Sequence, residues 1–237
     1  MTKTILITGA GSGIGRGLSL LLAAKGHDIV ATDLKSSAHV LDVTSEPDIQ
    51  RFLQAIAPRR IDVLINNAGL QHVARLEEFP QEKWDTVVDV ILKGACLMTR
   101  AVLPQMRANG FGRIINIGSI HSMVASAYKT AYVAAKHALV GFSKVIALET
   151  ADTDITINTI CPSYVRTPLV DAQIKNQAKA HGISEEEVIN KIMLQPMPKH
   201  AFITIEEIAA TVEFLMSDSA RNITGQAITI DGGWTAQ

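Results

Sequence analysis

Cysteine is scarce in this chain. Only Cys96 and Cys161 occur among 237 residues, too few for a disulfide framework and without the paired spacing of a metal site. A reducing, cytoplasmic setting without a bound metal is therefore expected. Aromatic residues make up only 5%, and neither sign of charge prevails, with 22 basic against 23 acidic side chains. A formal charge of −1 supplies no basic field for a phosphate backbone, which argues against nucleic acid as a partner. No apolar run approaches the roughly 18 residues that a membrane helix needs, so no membrane span is expected. The chain passes almost at once into Ile5, Leu6 and Ile7, leaving no room for the three regions of a secretory signal. The fold is expected to begin almost at residue 1.

Apolar residues reach 47% and charged ones 19%, enough for a large core and too apolar for a disordered chain. Short β-branched runs stand at 4–8, 28–32, 39–43, 63–66, 113–117, 156–161 and 227–230. Between them, apolar residues spaced by three and four mark helices at about 13–25, 46–57, 81–108, 126–151 and 204–217. Runs that are apolar on both faces belong in a parallel sheet covered by helices. The pattern predicts a single α/β domain over 1–237, doubly wound and Rossmann-type, with a parallel sheet of about seven strands and ligands beyond their carboxyl ends. The stretch 167–201 is polar, carries Glu185, Glu186 and Glu187, and ends in Gln195-Pro196-Met197-Pro198. It reads as a small helical lid or as an ordinary surface excursion.

Directly after the first run come Thr8, Gly9, Ala10, Gly11, Ser12, Gly13, Ile14 and Gly15, opening an amphipathic helix. Glycine permits the tight turn, and the helix amino terminus offers unpaired N–H groups to a diphosphate. The spacing is G-x-x-x-G-x-G, with Ile14 where the commoner G-x-G-x-x-G pattern has its last glycine. Strand before, helix after and Asp33 ending the second strand together point to a dinucleotide. A carboxylate there accepts both ribose hydroxyls and repels a 2′-phosphate, which favours NAD over NADP. Lys35 nearby weighs the other way.

Tyr132 and Lys136 are four residues apart on a helix and share one face. A free phenol has a pKa of about 10, and a neighbouring ammonium lowers it by about 1 to 3, bringing tyrosine into range as an acid/base. Ser119 follows the fifth run and falls at the carboxyl edge of the sheet, placed to hydrogen-bond a substrate oxygen.

The glycine turn, the run Asn66-Asn67-Ala68-Gly69, Ser119 and Tyr132-x-x-x-Lys136 together resemble the short-chain dehydrogenase/reductases over essentially the whole chain. The resemblance implies hydride transfer with NAD. It gives Ser119 the task of orienting the carbonyl or alcohol, Tyr132 that of acid/base, and Lys136 that of holding the nicotinamide ribose and lowering the tyrosine pKa. Gly9, Ser12, Gly13, Ile14, Gly15 and Asp33 would contact the dinucleotide, Asp42 and Val43 the adenine, and Asn67, Ala68 and Gly69 the strand beside it. Pro162, Val165 and Thr167 would frame the nicotinamide, and the family implies a homotetramer.

The segments 67–74, 126–137, 167–173 and 231–237 are similar to family members that act on a short 3-hydroxy acid. By that likeness Gln71, His121, Lys129 and Gln173 would bind the substrate carboxylate, with Trp234 near the lid. The chemistry is consistent, because a small anion inside a closed pocket needs one cation and several donors.

Three departures from the family pattern stand out. Ile91 takes the place of an asparagine that in the family holds a water of the proton relay behind the lysine. Ser163 replaces a glycine beside the nicotinamide. Only residues 34–38 separate the second and third strands, where relatives insert a helix, so a tight link and an open adenine edge are expected. Competing readings are a reductase of another small carbonyl compound and a dinucleotide-binding sensor weakened by Ile91.

Overall fold

The computed structural model describes residues 2–35 and 37–236, apart from the side chains of Leu169 and Ala180. Seven strands form one parallel sheet: β1 (Thr4–Ile7), β2 (Asp28–Asp33), β3 (His39–Val40), β4 (Val63–Asn66), β5 (Gly112–Ile117), β6 (Ile155–Pro162) and β7 (Ala227–Ile230). Their spatial order is β3-β2-β1-β4-β5-β6-β7, and every pair is parallel. The order reverses between β1 and β4, the position at which open α/β sheets leave a crevice for ligands.

Eight α-helices occur among the described residues: α1 (Gly13–Ala24), α2 (Glu46–Ile56), α3 (Gln81–Val88), α4 (Gly94–Asn109), α5 (Thr130–Glu149), α6 (Pro168–His181), α7 (Glu185–Val188) and α8 (Ile205–Met216), of which α6 and α7 pack on each other in a separate apolar cluster. Because strand side chains alternate between faces, Ile5, Ile7 and Ile65 join Leu18, Leu22, Ile208 and Val212 in one core layer. Leu6, Leu64 and Ile114 join Phe52, Met98 and Val102 in the other. Each such side chain, fully removed from water, contributes about 1.5–3 kcal/mol of burial.

Three sequence expectations change. The third strand is confined to His39–Val40 rather than 39–43, because the short link after Asp33 brings the chain back only beside the end of β2. Ser37 stabilises that return, its hydroxyl lying 3.1 Å from the Ala31 carbonyl and 2.8 Å from that of His39. The helix expected over 81–108 is broken between α3 and α4 by a π-turn at Asp89–Lys93, which carries Ile91. The helix expected from 126 begins at Thr130, because Tyr128 adopts a left-handed backbone (φ 69°) just before it.

α5 is long and apolar enough to cross a membrane, with a mean hydropathy of 1.3, which the count of uninterrupted apolar residues did not reveal. Here it lies along β6 and holds Tyr132 and Lys136. The stretch 167–201 is helical over α6, α7 and a π-turn at Ile189–Met193 and irregular from 194 on: Thr167 caps α6, and Ser184 and Glu187 form a capping box on α7.

Candidate active site

The glycine turn is locked to the strand beside it. Asn67 Nδ2 donates to the Thr8 and Gly9 carbonyls at 2.9 and 3.0 Å, and the Thr8 hydroxyl accepts from the Asn67 and Ala68 N–H groups, both at 3.1 Å. Gly9 is left-handed (φ 64°), and a β-carbon there would lie 2.8 Å from the Ala68 Cα. One on Gly15 would lie 2.4 Å from both Asn67 Nδ2 and the Gly9 carbonyl. Only glycine fits at either place.

This cradle floors a cleft of about 360 Å³ whose walls include Gly9, Ser12, Gly13, Ile14, Asp33, Asp42, Val43, Asn67, Ala68, Gly69, Tyr132, Lys136 and Thr167. Ser12 leads into α1 in extended backbone (φ −153°, ψ 174°), and its side chain caps none of the first-turn N–H groups among the described residues. Those donors therefore suit a diphosphate, and the shape of the cradle fits a nicotinamide dinucleotide. Asp33 accepts hydrogen bonds from the Gly11 and Lys35 N–H groups at 3.1 and 3.0 Å, which fixes its carboxylate at the end of β2. Asp42 accepts from the N–H and hydroxyl of Thr44 at 2.8 and 2.7 Å.

A second chamber of about 120 Å³ opens beside the first. Its walls bring together Gln71, Ser119, His121, Lys129, Tyr132, Pro162, Val165, Thr167 and Gln173, with Ser163 and Tyr164 beside them. Gln173 Nε2 donates to the side-chain Oε1 of Gln71 at 3.2 Å, while the buried Gln71 Nε2 has no hydrogen-bond partner among the described residues. Lys129 stands at the start of α5 with its Nζ 5.9 Å from the centre of the Tyr164 ring. Among the described residues no carboxylate pairs with it, and burial lowers its pKa. Trp234 stacks on Tyr164 at 6.1 Å and meets the His121 ring edge-on at 6.2 Å, so it backs the chamber rather than lining it.

Lys136 is buried and its Nζ donates to the Ile117 carbonyl at 2.6 Å, lying 5.6 Å from the centre of the Tyr132 ring. Desolvation pushes the lysine pKa down to about 8. The Tyr132 pKa moves opposite to the expectation. Burial raises it, and the hydrogen bond from Ser119 offsets this only in part. Loss of water around the ring sets the direction.

His121 is buried, and its pKa falls to about 4 through desolvation first and the Lys129 charge second. It is therefore neutral at pH 7. Its Nε2 is 2.8 Å from the Ser126 hydroxyl, and its Nδ1 is 3.5 Å from that of Ser119. Ser126 and Tyr164 escaped the sequence reading. An aromatic residue two positions past Pro162, in a chain so poor in aromatics, is the signal for Tyr164; nothing local marks Ser126.

A dinucleotide cleft joined to a small chamber at a serine, tyrosine and lysine defines an oxidoreductase of the nicotinamide-dependent kind. The family model described as enoyl-(acyl carrier protein) reductase matches residues 9–235, and the chain belongs to the short-chain dehydrogenase/reductase family. It is 44% identical to the D-beta-hydroxybutyrate dehydrogenase of Rhizobium meliloti over 258 residues, covering 100% of both chains. It is 41% identical to that of Cupriavidus necator over 254 residues, 99% of this chain and 98% of the relative. Among solved structures, an actinorhodin polyketide ketoreductase variant with NADPH superposes with a TM-score of 0.91 at 30% identity, over 100% of this chain and 98% of the other.

Proposed function

We propose that the chain interconverts D-3-hydroxybutyrate, or a similar short 3-hydroxy acid, and acetoacetate, using NAD. The observation that carries this reading is Lys129: a partly buried cation without a carboxylate partner among the described residues, on the wall of the chamber that holds Ser119 and Tyr132. A desolvated charge is costly unless paired, and a substrate carboxylate supplies the pair. The unpartnered amide of Gln71 and the amide of Gln173 add donors beside it.

Ser119 orients the substrate hydroxyl, and Tyr132 takes its proton during oxidation and returns it during reduction. Lys136, tethered to Ile117 beside the phenol ring, would hold the nicotinamide ribose. When bound, the nicotinamide accepts the hydride from C3 or gives it back. Gly9 and Gly13 let the diphosphate approach, while Gly15, expected at the dinucleotide, is buried behind the turn against Asn67 and Gly9 and keeps it closed; Asp42 and Val43 flank the adenine, and Asn67, Ala68 and Gly69 form the wall opposite. Asp33 favours NAD, since a 2′-phosphate would meet its carboxylate. The helices within 167–201 serve as a lid over the chamber, with Val170 and Gln173 of α6 already on its wall. Free Cys96 and Cys161 suit the cytoplasm, and the exposed Val145 and Leu148 on α5 suit self-association into the homotetramer.

The test is nicotinamide absorbance with NAD or NADP and three alcohols: D-3-hydroxybutyrate, its L enantiomer and 2-butanol. Turnover confined to the D acid with NAD supports the reading. Equal turnover of 2-butanol would favour a general small-carbonyl reductase. Binding of NADH without turnover of any alcohol would favour a sensor.

A further inference from the structure

A proton taken from an alcohol must reach water, and two directions lead away from Tyr132. Behind Lys136 the space measures about 10 Å³, room for one water at most. Ile91, 2% exposed, closes it on the helical side together with Ala95 and Leu139. Asn66 faces it from the sheet, but its amide donates inward to Thr99 and Asn116. The Asn66 Oδ1 has no partner, and among the described residues no side chain hydrogen-bonds to the Lys136 ammonium from that side.

On the other side the hydrogen bonds continue. Ser119 and Tyr132 stand on the wall of the same chamber, the Ser119 oxygen is 3.5 Å from His121 Nδ1, and His121 Nε2 is 2.8 Å from the hydroxyl of Ser126, which is partly exposed. The groups facing the imidazole are Lys129, His137 and the Tyr132 and Trp234 rings, and both ring nitrogens are spanned by hydroxyls. A neutral imidazole so placed accepts on one nitrogen while donating from the other.

We propose that the proton of the oxidised alcohol leaves through Ser119, His121 and Ser126, so that His121 is a relay as well as a wall of the chamber. Tyr132 first holds the hydroxyl proton. The phenol proton then passes to Ser119 Oγ as the serine proton passes to His121 Nδ1. The proton on Nε2 passes to Ser126 Oγ, and the Ser126 proton passes to water. One proton reaches solvent for each alcohol oxidised, Tyr132 is left as phenolate, and His121, left with its proton on Nδ1, returns to the Nε2–H tautomer by exchange with water in the chamber before the next turnover. Reduction reverses every transfer. The inference rests on the oxidoreductase reading but not on the identity of the acid.

The test is Ser126→Ala, with Ser126→Thr as the conservative control. In the unliganded, ¹⁵N-labelled protein, the imidazole nitrogen shifts of His121 give its tautomer without substrate or cofactor. The expected wild-type ring is neutral with its proton on Nε2, Ser126→Ala moves it toward the other tautomer, and Ser126→Thr restores it. With whichever alcohol the wild type oxidises, Ser126→Ala is expected to lower the single-turnover rate roughly tenfold and to leave KM within about twofold. An unchanged tautomer, or an unchanged rate despite a shifted tautomer, would overturn the relay. Failure of 3-hydroxybutyrate as the substrate would touch only the proposed function.

Discussion

Lys136 Nζ donates to the carbonyl of Ile117, the last residue of β5, at 2.6 Å, which ties the lysine to the sheet edge directly ahead of Ser119. The cation is thereby held beside Tyr132 by the backbone rather than by a carboxylate. Burial dominates both groups: the lysine falls to about 8 and the phenol rises. Alcohol oxidation needs the phenolate and ketone reduction the phenol. The oxidation rate should therefore climb with pH beyond neutrality, while reduction stays level and then falls, as pH–rate profiles in each direction will report. Tyr132→Phe should lower kcat by about 10²–10⁴-fold while NADH affinity by fluorescence titration stays within about twofold.

Replacing Ile91 by asparagine restores the residue usual in the family, but the surroundings here are apolar. Ile91 packs with Val87, Ala95, Ala131, Ala135 and Leu139. An amide placed there loses apolar burial and meets few partners, a cost of about 2–4 kcal/mol. Ile91→Asn should lower Tm by roughly 5–15 °C without raising kcat. A faster and equally stable variant would show that the lysine side carries the proton.

His121 links pH to stability. Its folded pKa of about 4 lies below the ordinary 6.5, so the unfolded chain binds more protons between those values. Stability contributed by the neutral ring is full above about 6.5 and is lost as pH falls toward 4. Chemical denaturation between pH 5 and 6.5 should show wild-type stability rising by roughly 1 kcal/mol per pH unit more than that of His121→Asn. Parallel slopes would contradict the burial argument.

Gly15→Ala tests the cradle. Its methyl would fall 2.4 Å from Asn67 Nδ2 and the Gly9 carbonyl, so the turn must open. NADH binding should weaken at least about tenfold, a cost above roughly 1.4 kcal/mol by titration, and Tm should fall with it.

Much of this molecule is legible in its sequence. Runs such as Arg113–Ile117 and Thr156–Cys161, rich in isoleucine and buried on both faces, announce a parallel sheet, and the glycine turn and Asp33 announce the cleft. What stays hidden depends on tertiary contact. Apolar spacing runs unbroken through Asp89–Lys93, so the π-turn leaves no local trace. The short link after Asp33 lets β3 pair only with the end of β2, and the Ser37 hydroxyl that holds this return to Ala31 leaves no pattern in the sequence. The spacing of Tyr132 and Lys136 puts charge beside the phenol but does not show how much water both lose, and that loss sets the direction of the tyrosine pKa.

In the proposed function Lys129 receives the substrate carboxylate. Lys129→Met keeps the length of the side chain and removes its charge. Losing one charge-assisted contact costs about 1.5–3 kcal/mol, so the ratio of kcat/KM for D-3-hydroxybutyrate to that for 2-butanol should fall roughly 10- to 100-fold, chiefly through KM for the acid. A ratio unchanged from wild type would show that the chamber does not select its substrate by charge.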